Sequence, residues 1–202
     1  KARKMCDDAS FFNKEAIYYP AKDAIFYSAD VHGNQITGER LRCISRIINH
    51  SSTGEGVLTV VTTMDGIADR LIPVERFKEA VITLDYSSEI EPEKLAKKLV
   101  AMGFVRTGMV EDKGQFAIRG GIIDIFSYTD EAPVRIELWD TEVDSIRMFD
   151  VESQRSIERL QSYSIFPATE YIFTEDELKN GLYNIKEECD RQLECFDYGK
   201  RK

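Results

Sequence analysis

The sequence predicts two architectures in one chain: a partial α/β layer, then an α+β module made of one helix and an antiparallel sheet. Three observations carry this. Strand-like and helix-like runs alternate up to about residue 84, the pattern of a parallel layer. From residue 92 one helix is followed by five strand-like runs with no helix among them, which is the pattern of an α+β unit. A capped amphipathic stretch begins at Thr174. The organisation expected is 1–84 for the α/β layer, 85–160 for an inserted α+β module, and 161–202 for a strand and helix returning to the layer.

Residues 1–12 place Met5, Phe11 and Phe12 among polar residues and read as the end of a helix, so the chain reads as a piece of a longer protein. Ala16 to Tyr19 is a short β-prone run ended by Pro20. The polar stretch Tyr27 to Gln35, with Gly33, reads as a loop. Thr37 is placed to cap a helix whose apolar stripe is Leu41, Ile44, Ile47 and Ile48. Residues 51–56 form a loop, and 57–62 have the near-continuous apolar character of a buried parallel strand. A short helix holding Ile67 and Leu71 is stopped by Pro73, and 81–84 is a further strand.

Pro92 opens the next helix, with Leu95, Leu99 and Met102 on one face and Gly103 as its stop. The strand-like runs are 104–110, 115–119, 122–126, 134–138 and 143–149, followed by 163–166 ahead of Pro167. In the last helix Thr174 and Glu177 have capping-box spacing, and Leu178, Leu182, Ile185, Cys189 and Leu193 recur every three or four residues.

The chain has 202 residues, 43% hydrophobic and 31% charged, enough for one ordinary domain or two small ones sharing an interface. A net charge of −9 weighs against gripping duplex DNA by its phosphates and is compatible with a protein partner. Cys6, Cys43, Cys189 and Cys195 form no C-x-x-C pair, and with only His32 and His50 beside them no structural zinc is expected. Such scattered cysteines suit a reducing cytoplasm. No run of about 18 apolar residues is present, so no membrane span is expected.

A phosphate-cradling G-x-x-x-x-G-K-[ST] loop is absent, as are H-E-x-x-H, G-x-S-x-G and G-x-G-x-x-G. His32 and His50 both fall in expected loops, as solvated surface histidines. The acids Asp124, Glu137, Asp140, Glu142, Asp144 and Asp150 leave two readings open. One is a nuclease holding magnesium ions. The other, favoured by the turn position of Asp140 and Glu142, is a solvated sheet face.

The stretch GQFAIRGGIIDIF, residues 114–126, reads as a tight hairpin turned by Gly120 and Gly121. Alternation sends Phe116 and Ile118 to one face and Gln115, Ala117 and Arg119 to the other. Phe126 has either a recognition or a core reading, and Trp139 reads as packing.

The pattern F-x-x-R-G-G-x-x-D-x-F, then R-x-E-x-x-D-x-E-x-D-S-I-R-x-F-D over 135–150 and S-Q-R at 153–155, resembles the UvrB-like region of bacterial transcription-repair coupling factors. Looser agreement extends to Tyr19, Pro20, Asp23, Tyr27, 37–41 and 62–73. That resemblance implies a partial, degenerate helicase-like layer without a P-loop, carrying an inserted docking module for UvrA. It implies UvrA-facing roles for Arg106, Arg119, Phe126, Arg135 and Glu137. Ala117 stands where UvrB-like chains carry a further arginine, which implies a smaller or differently tuned contact. The parent implied is an ATP-driven translocase that meets RNA polymerase and double-stranded DNA through other parts of its chain, with ATP and magnesium in a distant motor. For this stretch itself the expectation is recognition without catalysis or cofactor, in a monomeric, cytoplasmic protein. The alternative family member is UvrB itself, whose P-loop and aromatic DNA-clamping hairpin are not seen here; the Tyr27–Gln35 stretch is too short for that hairpin.

Overall fold

In the computed structural model, all residues are described except 14, 23–29, 55, 70 and 200–202, and the side chains of 30–34, 52, 53, 175 and 194–199. Asp23 and Tyr27 of the looser resemblance therefore lie outside the described residues.

Strands β1 (Ala16–Tyr19) and β2 (Thr59–Thr62) pair in parallel, Ala16 opposite Thr59 and Tyr19 opposite Thr62. Parallel neighbours need a crossover, and helix α2 (Asp30–Thr53) supplies it. Helix α1 (Ala2–Phe12) lies against both strands.

The start of α2 departs from the expected loop and cap: the helix begins at Asp30, and Thr37 lies inside it. Gly33 costs a helix only about 1 kcal/mol relative to alanine, and turns add cooperatively upstream of the packed stripe headed by Leu41 and Ile48. His32 and His50 are thus helical rather than in loops, and His50 Nε2 accepts the Leu58 N–H at 3.0 Å. β2 is also less buried than its composition implied, because its only strand partner among the described residues is β1. Helix α3 (Met64–Ala68) is capped by Thr63, whose hydroxyl accepts the Gly66 N–H, and ends before Leu71. Pro73 opens an unanticipated helix, α4 (Val74–Ala80). Proline serves a first turn, where its missing N–H has no partner to lose.

Strand β3 (Ile82–Asp85) does not continue the parallel layer. It pairs antiparallel with β10 (Ser162–Ile165), Ile82 opposite Ile165. The chain thus enters and leaves the module on adjacent strands. Between them runs α5 (Pro92–Ala101), whose Leu95, Ala96 and Leu99 are buried. Gly103 ends its turn at φ +88, with Thr169 packed where a side chain would stand.

Six strands follow in sequential order: β4 (Val105–Arg106), β5 (Gln115–Arg119), β6 (Ile122–Phe126), β7 (Val134–Trp139), β8 (Glu142–Phe149) and β9 (Ser156–Arg159). All neighbours are antiparallel except β4 and β5, which are parallel. The expected strand 104–110 contracts to two residues, and β9 was not anticipated, since all four of its residues are exposed. The core lies between α5 and one sheet face, where Leu99, Phe116, Ile123, Ile125, Ile136 and Ile146 meet Leu84 of β3 and Ile165 of β10.

In the layer, Arg40 of α2 is fully buried. It donates to Glu170 through Nε (2.6 Å) and Nη2 (2.9 Å), and through Nη1 to the Pro20 carbonyl (2.7 Å) and Asp69 (3.0 Å). Residues 171–202 form a second compact unit dominated by α6 (Glu175–Gly199). Its capping box is made in full: the Glu177 N–H donates to Thr174 Oγ1 (3.2 Å) and the Thr174 N–H to Glu177 Oε2 (2.9 Å). Among the described residues no helix is long and apolar enough to cross a membrane.

Candidate functional site

With α5 covering one face of the six-stranded sheet, the other face is free to present side chains. Register sets its rows: Ala117, Asp124, Arg135 and Arg147 lie side by side on successive strands, as do Arg119, Ile122, Glu137 and Ser145.

Asp124 is the hub. It is 1% exposed and accepts from two arginines. Arg135 grips it bidentately, Nε to Oδ1 at 2.6 Å and Nη2 to Oδ2 at 2.9 Å, and Arg119 Nη2 reaches Oδ2 at 2.6 Å. A buried carboxylate is tolerable only when paired and hydrogen-bonded in this way. Arg135 also donates to Gln154 Oε1 at 2.8 Å and lies over the Phe149 ring, 4.2 Å from its centroid. The bond to Asp124 holds its guanidinium above the usual arginine range against the opposing pull of burial. Arg135 is consequently a structural pin, with its donors largely spent inside the sheet. Arg119 keeps 44% of its side chain open to solvent. Glu137 accepts from Ser145 Oγ at 2.8 Å and pairs with Arg147.

Phe126 faces the same side but is only 8% exposed, packed with Val110, Ala117 and Val151. Lys113 Nζ lies 5.3 Å from its ring centroid. This small cluster also explains what Ala117 does: at 1% exposure it fills space beside Phe126 that an arginine would have to leave.

Arg106 stands apart. It is in register with Phe116, whose side is covered by α5, and its guanidinium lies 3.5 Å from Glu93 on that helix. Arg119, Phe126, Arg135 and Glu137 therefore share a face, whereas Arg106 lies around the β4 edge.

Two residues were misjudged from the sequence alone. Trp139, read as packing, is 80% exposed, because it ends β7 beside the Gly120–Gly121 turn of β5 and β6, which has no side chains to cover it. Asp124 appeared as one acid among six; its place between two isoleucines on an alternating strand, opposite an arginine, was the available signal. The other acids disperse. Asp140 and Glu142 sit at the β7–β8 turn, and Asp150 accepts from Ser153. Among the described residues no three histidine, cysteine or acidic side chains converge as a metal ion would require.

A sheet sealed on one side by a helix, and pinned on the other by charge pairs that leave an arginine exposed, can present that arginine to another protein. The model of the UvrB interaction domain family matches residues 82–171. Over its length the chain is similar to transcription-repair-coupling factors. It is 38% identical over 204 residues to that of Bacillus subtilis (strain 168), an alignment covering all of this chain and 17% of the relative. It is 36% identical over 195 residues to that of Staphylococcus aureus (strain Mu50 / ATCC 700699), covering 93% of this chain and 16% of the relative. With that of Staphylococcus haemolyticus (strain JCSC1435) it shares 37% identity over 174 residues, 86% of this chain and 14% of the relative. The chain spans about one sixth of the length of these relatives.

Proposed function

We infer that the outer face of the six-stranded sheet docks UvrA on behalf of a transcription-repair coupling factor. The observation that carries this reading is Arg119, half open to solvent yet held in place by a buried carboxylate, within the segment that matches the UvrB interaction domain. Charge-assisted, preoriented guanidinium donors suit recognition of carboxylates on a partner. In this reading Arg135 and Glu137 act mainly by holding register, Phe126 supports the face from beneath, and Arg106 makes a second contact around the β4 edge. Residues 85–160 are the docking insert, and 1–84 with 161–202 are its helicase-like frame.

Catalysis belongs to other parts of the parent: an ATP- and magnesium-dependent motor that moves on double-stranded DNA and displaces stalled RNA polymerase. This stretch works without a cofactor, as a monomer, in the cytoplasm.

The test is a titration of UvrA with the unsubstituted chain and with Arg119→Ala, Arg106→Ala and the double variant. Each single variant should weaken binding about tenfold, ~1.4 kcal/mol, and the double variant more. Equal binding by all four forms would defeat the site assignment, and no binding by any of them would defeat the function.

A further inference from the structure

Trp139 is the single tryptophan of the chain, and 80% of its surface is open to solvent. Phe116, Ile123, Ile125 and Phe149 of the same sheet are all buried. Two features keep the indole uncovered. The adjoining β5–β6 turn is Gly120 and Gly121, which have no side chains to lay across it. A Cβ at Gly121 would stand 2.8 Å from the Leu138 carbonyl oxygen, so glycine is required there.

The mount is stiff. The Leu138 N–H donates to the Gly121 carbonyl at 2.8 Å, tying the end of β7 to that turn. Pairing of β7 with β8 runs out to Trp139 opposite Glu142, and Asp140 turns the chain at φ 59. The Ile90 N–H donates to the Thr141 carbonyl at 2.7 Å, fixing the far side of the hairpin. Exposed charges differ on its two flanks: Arg119 at the end of β5 on one, Asp140 and Glu142 on the other.

We propose that Trp139 is the apolar anchor of the docking face: its indole enters a pocket on the protein partner whose rim sets an acidic group against Arg119 and a basic group against Asp140 and Glu142. This rests on the docking function inferred above and adds to it the side chain that supplies the apolar contact. Phe126 does not fill that role, since its ring is already buried in the protein's own cluster. Interface energy concentrates in rigidly held aromatics ringed by polar groups that exclude water. The backbone that carries Trp139 is hydrogen-bonded on both sides before any partner arrives, so little main-chain order is lost on binding.

Because the tryptophan is unique in these 202 residues, incorporating 5-fluorotryptophan gives them a single fluorine resonance, and unlabelled UvrA is the probe. The resonance should shift or broaden as UvrA is added. Trp139→Ala should weaken binding about tenfold or more, Trp139→Phe should retain part of the affinity, and both variants should melt where the parent does. A complex that forms with the resonance unmoved, or a Trp139→Ala chain that binds as the parent does, overturns the anchor and leaves the docking function standing. Failure of the unsubstituted chain to bind UvrA overturns both.

Discussion

Arg135 and Arg119 share one carboxylate but answer to different demands. Arg135 is 14% exposed and stacked on Phe149, so its loss opens a cavity and strands a buried charge. Breaking such a pair from one side costs about 3–5 kcal/mol. Arg119 is the more exposed partner, and its loss should cost roughly 1 kcal/mol or less. Urea unfolding of Arg135→Ala and Arg119→Ala therefore separates fold from docking. The first should lower the midpoint sharply and the second barely, while Arg119→Ala loses affinity for UvrA. A marginal effect of Arg135→Ala would show that Asp124 is less dependent on its pin than the geometry implies. His50 Nε2 accepts the Leu58 amide at the end of α2.

Among the elements, legibility follows how much of the signal is local. Strands β5 to β8 were readable as short β-prone runs bounded by turn residues, and Gly120–Gly121 marks a turn that only glycine fits. Helix α6 was readable from its cap and spacing. Replacing Thr174 with alanine should remove the bond that its hydroxyl accepts from the Glu177 N–H, leaving only the backbone half of the box, and cost about 1 kcal/mol. Faster amide exchange confined to the first turn of α6 would register it, and unchanged exchange there would deny the box any energetic role. Elements set by distant partners were not readable. β9 carries no apolar alternation, since it is an edge strand held only by β8. Neither the parallel pairing of β4 nor the departure of β3 to join β10 leaves a mark in nearby residues. The face of the sheet that Arg119 takes was legible from alternation, whereas its candidate role came from the resemblance alone. The burial of Phe126 and the exposure of Trp139 were not legible, because each depends on what a neighbouring loop places, or fails to place, over the ring.

For the molecule as a whole, buried phenols couple stability to alkaline pH. Burial raises Tyr19 and Tyr163 above the ordinary tyrosine value, with the nearby Asp130 carboxylate adding to the effect on Tyr163, whose hydroxyl donates to it at 2.6 Å. Unfolded tyrosines ionise near ~10, while these stay protonated in the folded chain beyond that pH. Their contribution is complete below about pH 10 and declines as pH rises above it. The urea midpoint should hold from pH 8 to pH 9 and fall towards pH 11, less steeply in Tyr163→Phe. A midpoint flat through pH 11 would contradict this linkage.

The side-by-side pairing of β3 and β10 reaches furthest. Two neighbouring antiparallel strands stand about 4.8 Å apart, so the polypeptide departs from its surroundings and rejoins them at nearly the same point. To a host chain, everything between those strands occupies no more of its path than a surface loop would. The sheet between those strands has the geometry of a cassette, whose two ends meet at one place in the chain that bears it.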